Sequence, residues 1–97
     1  MNDERLYIVT YDISNQRRWR RVFKAMHGYG EWLQLSVFQC RLTRRRRAEL
    51  ETALRELVKN KEDHVRLVDV GPADKIHLAV ESIGKSFSKM ERQATVI

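Results

Sequence analysis

Ninety-seven residues, 42% of them hydrophobic and 33% charged, make one domain with room for a modest core and something to gain from oligomerisation. No apolar run approaches a membrane span, no signal-peptide pattern opens the chain, and Cys40 as the single cysteine excludes an internal disulfide and a cysteine-based zinc site; a cytoplasmic protein with no membrane partner is expected. The formal net charge of +6 directs attention to polyanionic partners.

Residues 6–14, LYIVTYDIS, predict the first strand. Leu6, Ile8 and Thr10 point one way, and Tyr7, Val9 and Tyr11 point the other. Both faces are largely apolar, which predicts a central strand covered on both sides. Asp12 places a carboxylate at the strand's C-terminal end, and Ser14 or Asn15 can cap the helix that follows. A charge there is costly unless it is paired, hydrated or metal-bound. The plainer reading makes Asp12 a turn residue that helps start the helix.

Trp19, Val22, Phe23 and Met26 have helical spacing and predict a helix over residues 15–29, with Gly28 and Gly30 as its stop. Arg17, Arg18, Arg20, Arg21 and Lys24 form a basic block with no acid between Asp12 and Glu31. Solvated helix faces usually mix signs, and this one does not.

Residues 31–42 predict strand. Leu33, Leu35 and Val37 share one parity, and Phe38, Cys40 and Leu42 share the other. The apolar phase switches near Ser36 to Phe38, which demands a bulge, a sharp bend or a very tight connection between two short strands. Cys40 reads as a buried small apolar residue, because no His stands at an informative spacing.

Thr43 is a good N-cap for a helix over residues 44–60 with Leu50, Ala53, Leu54, Leu57 and Val58 as its apolar stripe. Its first turn is Arg44, Arg45, Arg46 and Arg47, where the helix dipole favours negative charge. With Arg41 these form a second block free of acids, read as an anion site. The two blocks hold ten of the nineteen Lys and Arg, while the remainder has nine basic and thirteen acidic residues. The positive charge is therefore local.

Residues 60–63 are a polar connection, residues 64–70 a strand, Gly71-Pro72 a turn, and residues 75–81 a half-exposed strand. His27, His64 and His77 lack ligand spacing and read as structural or surface residues. The polar tail ends in Ala94-Thr95-Val96-Ile97, an apolar end able to fray or to add a strand to a neighbouring sheet edge. There is no repeat, Walker loop or dinucleotide fingerprint. The element order predicts an α+β, ferredoxin-like βαββαβ sandwich over residues 1–84, with an extra C-terminal strand.

The motifs Tyr11-Asp12-Ile13-Ser14, Arg17-Arg18-Trp19-Arg20-Arg21-Val22 and Gln34-Leu35-Ser36-Val37-Phe38 now stand in order, followed by Leu42-Thr43 and Glu81-Ser82-Ile83-Gly84. In order, spacing and chain length the sequence resembles the CRISPR-associated adaptation family Cas-two, over nearly its whole length. Trp32 stands where many relatives carry Arg, and Gln39 where they carry an acid. The resemblance implies a symmetric homodimer whose residues 85–97 dock on the partner, and a role in spacer acquisition beside the integrase Cas-one. It also implies metal-dependent nuclease activity on RNA or DNA, with Asp12 as catalytic residue and metal ligand.

The expected ion is Mg²⁺, with Mn²⁺ as the alternative; one carboxylate holds Mg²⁺ poorly, and a two-fold axis would supply a second Asp12. Arg17, Arg18, Arg20, Arg21, Lys24, Arg44, Arg45, Arg46 and Arg47 are expected on the phosphates of duplex DNA or RNA. The expected function is an adaptation subunit that binds duplex DNA and bridges Cas-one; the alternative is a stand-alone metal-dependent ribonuclease or RNA-binding module.

Overall fold

The structure, a computed structural model, describes residues 3–84. Six elements follow one another: β1 Arg5–Asp12, α1 Gln16–Met26, β2 Glu31–Gln34, β3 Val37–Leu42, α2 Arg44–Leu57 and β4 His64–Pro72. The four strands form one antiparallel sheet in the order β2-β3-β1-β4. Each helix therefore crosses past one strand, which is the ferredoxin-like arrangement. The further strand expected at the C-terminus, and its docking on a partner, fall on residues outside those described.

β1 is central, as its two apolar faces predict. Tyr7, Val9 and Tyr11 enter the core beneath Val22 and Met26 of α1 and Leu50 and Leu54 of α2, with Trp32, Phe38 and Cys40 beside them. The opposite face differs from expectation, being covered at one end only. Leu6 is fully buried there. Its partner Gly71 has φ +139°, and a Cβ at Gly71 would collide with the Ile76 side chain that lies over it. Further along, Ile8 and Thr10 are half-buried and Val68 is 49% exposed. This leaves an apolar strip open.

The phase switch in residues 31–42 resolves into two strands joined by a tight turn at Leu35-Ser36. Leu35 is exposed and has φ +32°, a left-handed conformation that costs a non-glycine residue roughly 1–2 kcal/mol. Hydrogen bonds hold the turn. Trp32 Nε1 donates to the Leu35 carbonyl at 3.0 Å, Trp19 Nε1 to Ser36 Oγ at 2.7 Å, and the Tyr11 amide to the Ser36 carbonyl at 3.1 Å. The turn is thereby tied to the end of β1 that carries Asp12.

Both helices are shorter than their apolar spacing predicts. Asn15 caps α1, its Oδ1 accepting from the Arg18 amide at 2.9 Å, and Thr43 caps α2, its Oγ1 accepting from the Arg46 amide at 3.1 Å. α1 ends at His27 in right-handed conformation, and the left-handed glycine stop is not used. Gly30 serves close approach instead, because a Cβ there would run into the Gln39 carbonyl and Cys40 Sγ of β3. Residues 75–81 form no strand. Ile76 and Leu78 are half-buried between exposed neighbours, so the alternation reports one-sided burial without hydrogen-bonded pairing.

Candidate metal and nucleic-acid site

Asp12 is exposed at the C-terminal end of β1. The turn after it is held by a buried carboxylate that sequence reasoning missed. Asp63 has a side chain with no exposure. Its Oδ1 accepts from the Ser14 amide at 3.0 Å, and its Oδ2 from Arg18 Nε and the Lys59 amide, both at 2.8 Å. Arg18 also reaches Glu62 at 2.9 Å. The Arg18 guanidinium, opposed by burial and helped by the Lys59 and Ser14 amides, holds the Asp63 carboxyl well below the usual carboxylate range. Arg18, expected on phosphate, thus joins the start of α1 to the α2–β4 connection and fixes the turn that presents Asp12.

The remaining cations divide into held and open groups. Arg46 donates to Glu49 at 2.7 Å and to the Gly28 carbonyl at 2.8 Å, with its guanidinium 4.3 Å from the centre of the Tyr29 ring. Arg47 meets Glu51 at 2.6 Å, and Arg45 lies 3.5 Å from Glu49. Arg55 and then Arg47 hold the Glu51 carboxyl below its ordinary value. Glutamates one turn into α2 thus offset much of the conflict between four arginines and the helix dipole. By contrast, the exposed side chains of Arg17, Arg21, Lys24 and Arg44 have no hydrogen bond or ion pair with other described residues. Arg20 and Arg41 are exposed too, and Arg41 donates to the Ala73 carbonyl at 2.9 Å.

Arg17, Arg21 and Lys24 recur at helical spacing and make one stripe about 10 Å long. The Arg46 bond to Gly28 brings the end of α1 to the start of α2, so Lys24 and Arg44 stand at the same end of the helix pair.

His64 is Asp12's register partner at the end of the β1–β4 ladder. Nothing local in the sequence reveals this pairing, because it depends on the register of two strands half a chain apart. A cleft of about 270 Å³ between α2 and β4 is lined by Arg47, Glu51, Leu54, Arg55 and Val65, and touches Asp63 and His64 at the strand's start. Asp12 does not line it. Cys40 is fully buried, and burial pushes its thiol up to about 12, which removes it as a nucleophile at neutral pH.

Among the described residues no group of three or more His, Cys, Asp or Glu is placed to hold a metal ion. Asp12 is a lone exposed carboxylate, and one carboxylate holds Mg²⁺ poorly unless waters and a further ligand complete the shell. Among the described residues no helix is long and apolar enough to cross a membrane.

The family model described as "CRISPR associated protein Cas2" matches residues 5–75. The chain is 58% identical over 94 residues to the CRISPR-associated endoribonuclease Cas2 of Geobacter sulfurreducens, covering 97% of this chain and 99% of that one. It is 53% identical over 96 residues to the CRISPR-associated endoribonuclease Cas2 1 of Rhodospirillum rubrum, covering 99% and 94%. The crystal structure of Streptococcus pyogenes Cas2 superposes with a TM-score of 0.68 at 28% identity, covering 81% of this chain and 99% of that one. Motifs, strand order and these likenesses agree, and the chain belongs to the Cas-two (Cas2) family of CRISPR-associated proteins.

Proposed function

We propose that the chain is a CRISPR adaptation subunit that binds duplex DNA and bridges the Cas-one integrase as a homodimer, with Asp12 as a ligand for Mg²⁺ or Mn²⁺. The observation that carries the reading is the stripe of Arg17, Arg21 and Lys24, which with Arg44 lacks acidic partners among the described residues. Its length of about 10 Å spans roughly three base-pair steps of 3.4 Å along the duplex axis. Cations spaced along a helix meet phosphates whatever the base sequence, which suits a subunit that must accept any spacer.

Replacing Arg17, Arg21 and Arg44 with Gln is expected to lower duplex affinity and to reduce the slope of log K against log salt by about 2–3, near 0.9 for each phosphate no longer neutralised. Binding titrations at several salt concentrations check this. An unchanged slope removes the stripe from the interface.

The face of Ile8 and Val68 beside Thr10 and Arg66 is left uncovered at its far end, where a second copy could pack, which supports the homodimer. Deleting residues 94–97 is expected to weaken the dimer. Sedimentation of the full-length chain as a monomer at micromolar concentration counts against it.

The second reading is a metal-dependent endonuclease, favoured by the exposed Asp12 carboxylate and by the names of the Geobacter and Rhodospirillum relatives. A divalent cation would supply polarisation of a phosphodiester and activation of water. Asp12 would hold it, and the helix arginines would position the strand.

A further inference from the structure

Asp12 as a cation ligand leaves the rest of the coordination open, and the role of His64 argued next rests on that reading. Asp12 and His64 are the last register pair of β1 and β4. Strand alternation fixes the side to which both belong. Tyr7, Val9 and Tyr11 enter the helix-side core, and Val65 and Leu67 pack against it. Asp12 and His64 are each one residue out of phase with these sets and alternate toward the open face, His64 also bordering the α2–β4 cleft at the start of its strand. Both are exposed, and neither side chain has a hydrogen bond or ion pair with another described residue. Directly opposed residues of an antiparallel pair have Cβ atoms about 4.5–5.5 Å apart. In zinc sites, bonds to an imidazole nitrogen or a carboxylate oxygen are about 2.0–2.2 Å long, which sets the scale for other divalent ions. One ion can therefore be shared by a carboxylate and an imidazole at these positions.

The geometry points to His64 as a second protein ligand of the ion held by Asp12, and as the residue that biases the site toward Mn²⁺ over Mg²⁺. Mg²⁺ prefers oxygen and keeps its waters, whereas the divalent transition ions accept a nitrogen ligand, Mn²⁺ most weakly among them, so an imidazole shifts the balance from Mg²⁺ toward Mn²⁺. Water, or the same pair from a second copy, completes the shell. Arg66 follows on the same face, opposite Thr10, where its charge suits a bound phosphate better than a second metal.

The test is Mn²⁺ titration by electron paramagnetic resonance, with Mg²⁺ as competitor, on the full chain, on His64→Ala and on Asp12→Asn. Pulsed spectra read coupling of Mn²⁺ to a ligating nitrogen. The full chain is expected to show nitrogen coupling and to prefer Mn²⁺. His64→Ala is expected to lose the coupling and about tenfold or more in Mn²⁺ affinity, the scale on which even outer-shell partners act, with Mg²⁺ affinity little changed. Retained nitrogen coupling and Mn²⁺ affinity in His64→Ala, beside loss of binding in Asp12→Asn, overturns the role of His64 and leaves Asp12 as the ligand. Undiminished binding in Asp12→Asn overturns both. His64 is exposed at the start of a strand, so its replacement leaves the fold intact.

Discussion

Asp63→Asn is expected to destabilise the chain by about 3–5 kcal/mol, the cost of breaking a buried ion pair by removing one partner. At roughly 4–8 °C for each kcal/mol in a domain of this size, Tm falls by at least about 12 °C. The carboxylate accepts from the Ser14 and Lys59 amides and from Arg18. An amide side chain turns one of its two acceptors into a donor facing a donor, and leaves the Arg18 charge to Glu62 alone. The Arg5–Asp69 pair offers the contrast. Its side chains are 47% and 46% exposed, so water screens the pair and breaking it is expected to leave Tm nearly unchanged.

The pH dependence follows from the same carboxylate. Its folded pKa lies below its unfolded value of about 3.9, so the stabilisation is complete above that value and is lost as pH falls through the folded pKa. Urea denaturation between about pH 2 and pH 7 is expected to give a steep acid loss for the wild type and a shallower one for Asp63→Asn. Equal slopes contradict the assignment.

Asp12→Asn is the opposite case. Asp12 is exposed, so the change is expected to move stability by no more than about 0.5 kcal/mol. On the proposed reading it removes the charge that would hold the cation. Any Mg²⁺-dependent cleavage is expected to fall at least about 100-fold, beyond the loss caused by disturbing an outer-shell partner. Duplex binding through Arg17, Arg21, Lys24 and Arg44 is expected to persist. Gel assays of cleavage and binding titrations on the same preparation separate the two effects. Cleavage at the wild-type rate removes Asp12 from the chemistry.

Much of the fold was legible because its signals are local. The two apolar faces of residues 6–11 placed β1 at the centre of the sheet, and Thr43 marked the start of α2. The phase switch near Ser36 announced the break between β2 and β3. Pairing information was not legible. Residues 75–81 alternate as a strand does, yet they join no ladder. The arginine run at Arg44 looked uncompensated because its partners, Glu49 and Glu51, are neighbours only once the helix has formed. Arg18 could not be told from its basic neighbours, since Asp63 lies 45 residues away in sequence. Asp12 was legible as a carboxylate ending a strand, whereas His64 reached it only through the register of β1 and β4.

Spacer integration with Cas-one, measured for wild type and Asp12→Asn side by side, tests the scaffold reading most directly. The reading predicts that integration survives the substitution, because the helix cations and the dimer carry the role. Loss of integration in Asp12→Asn, with dimer, duplex binding and Cas-one binding intact, would contradict it and make the carboxylate's chemistry the function.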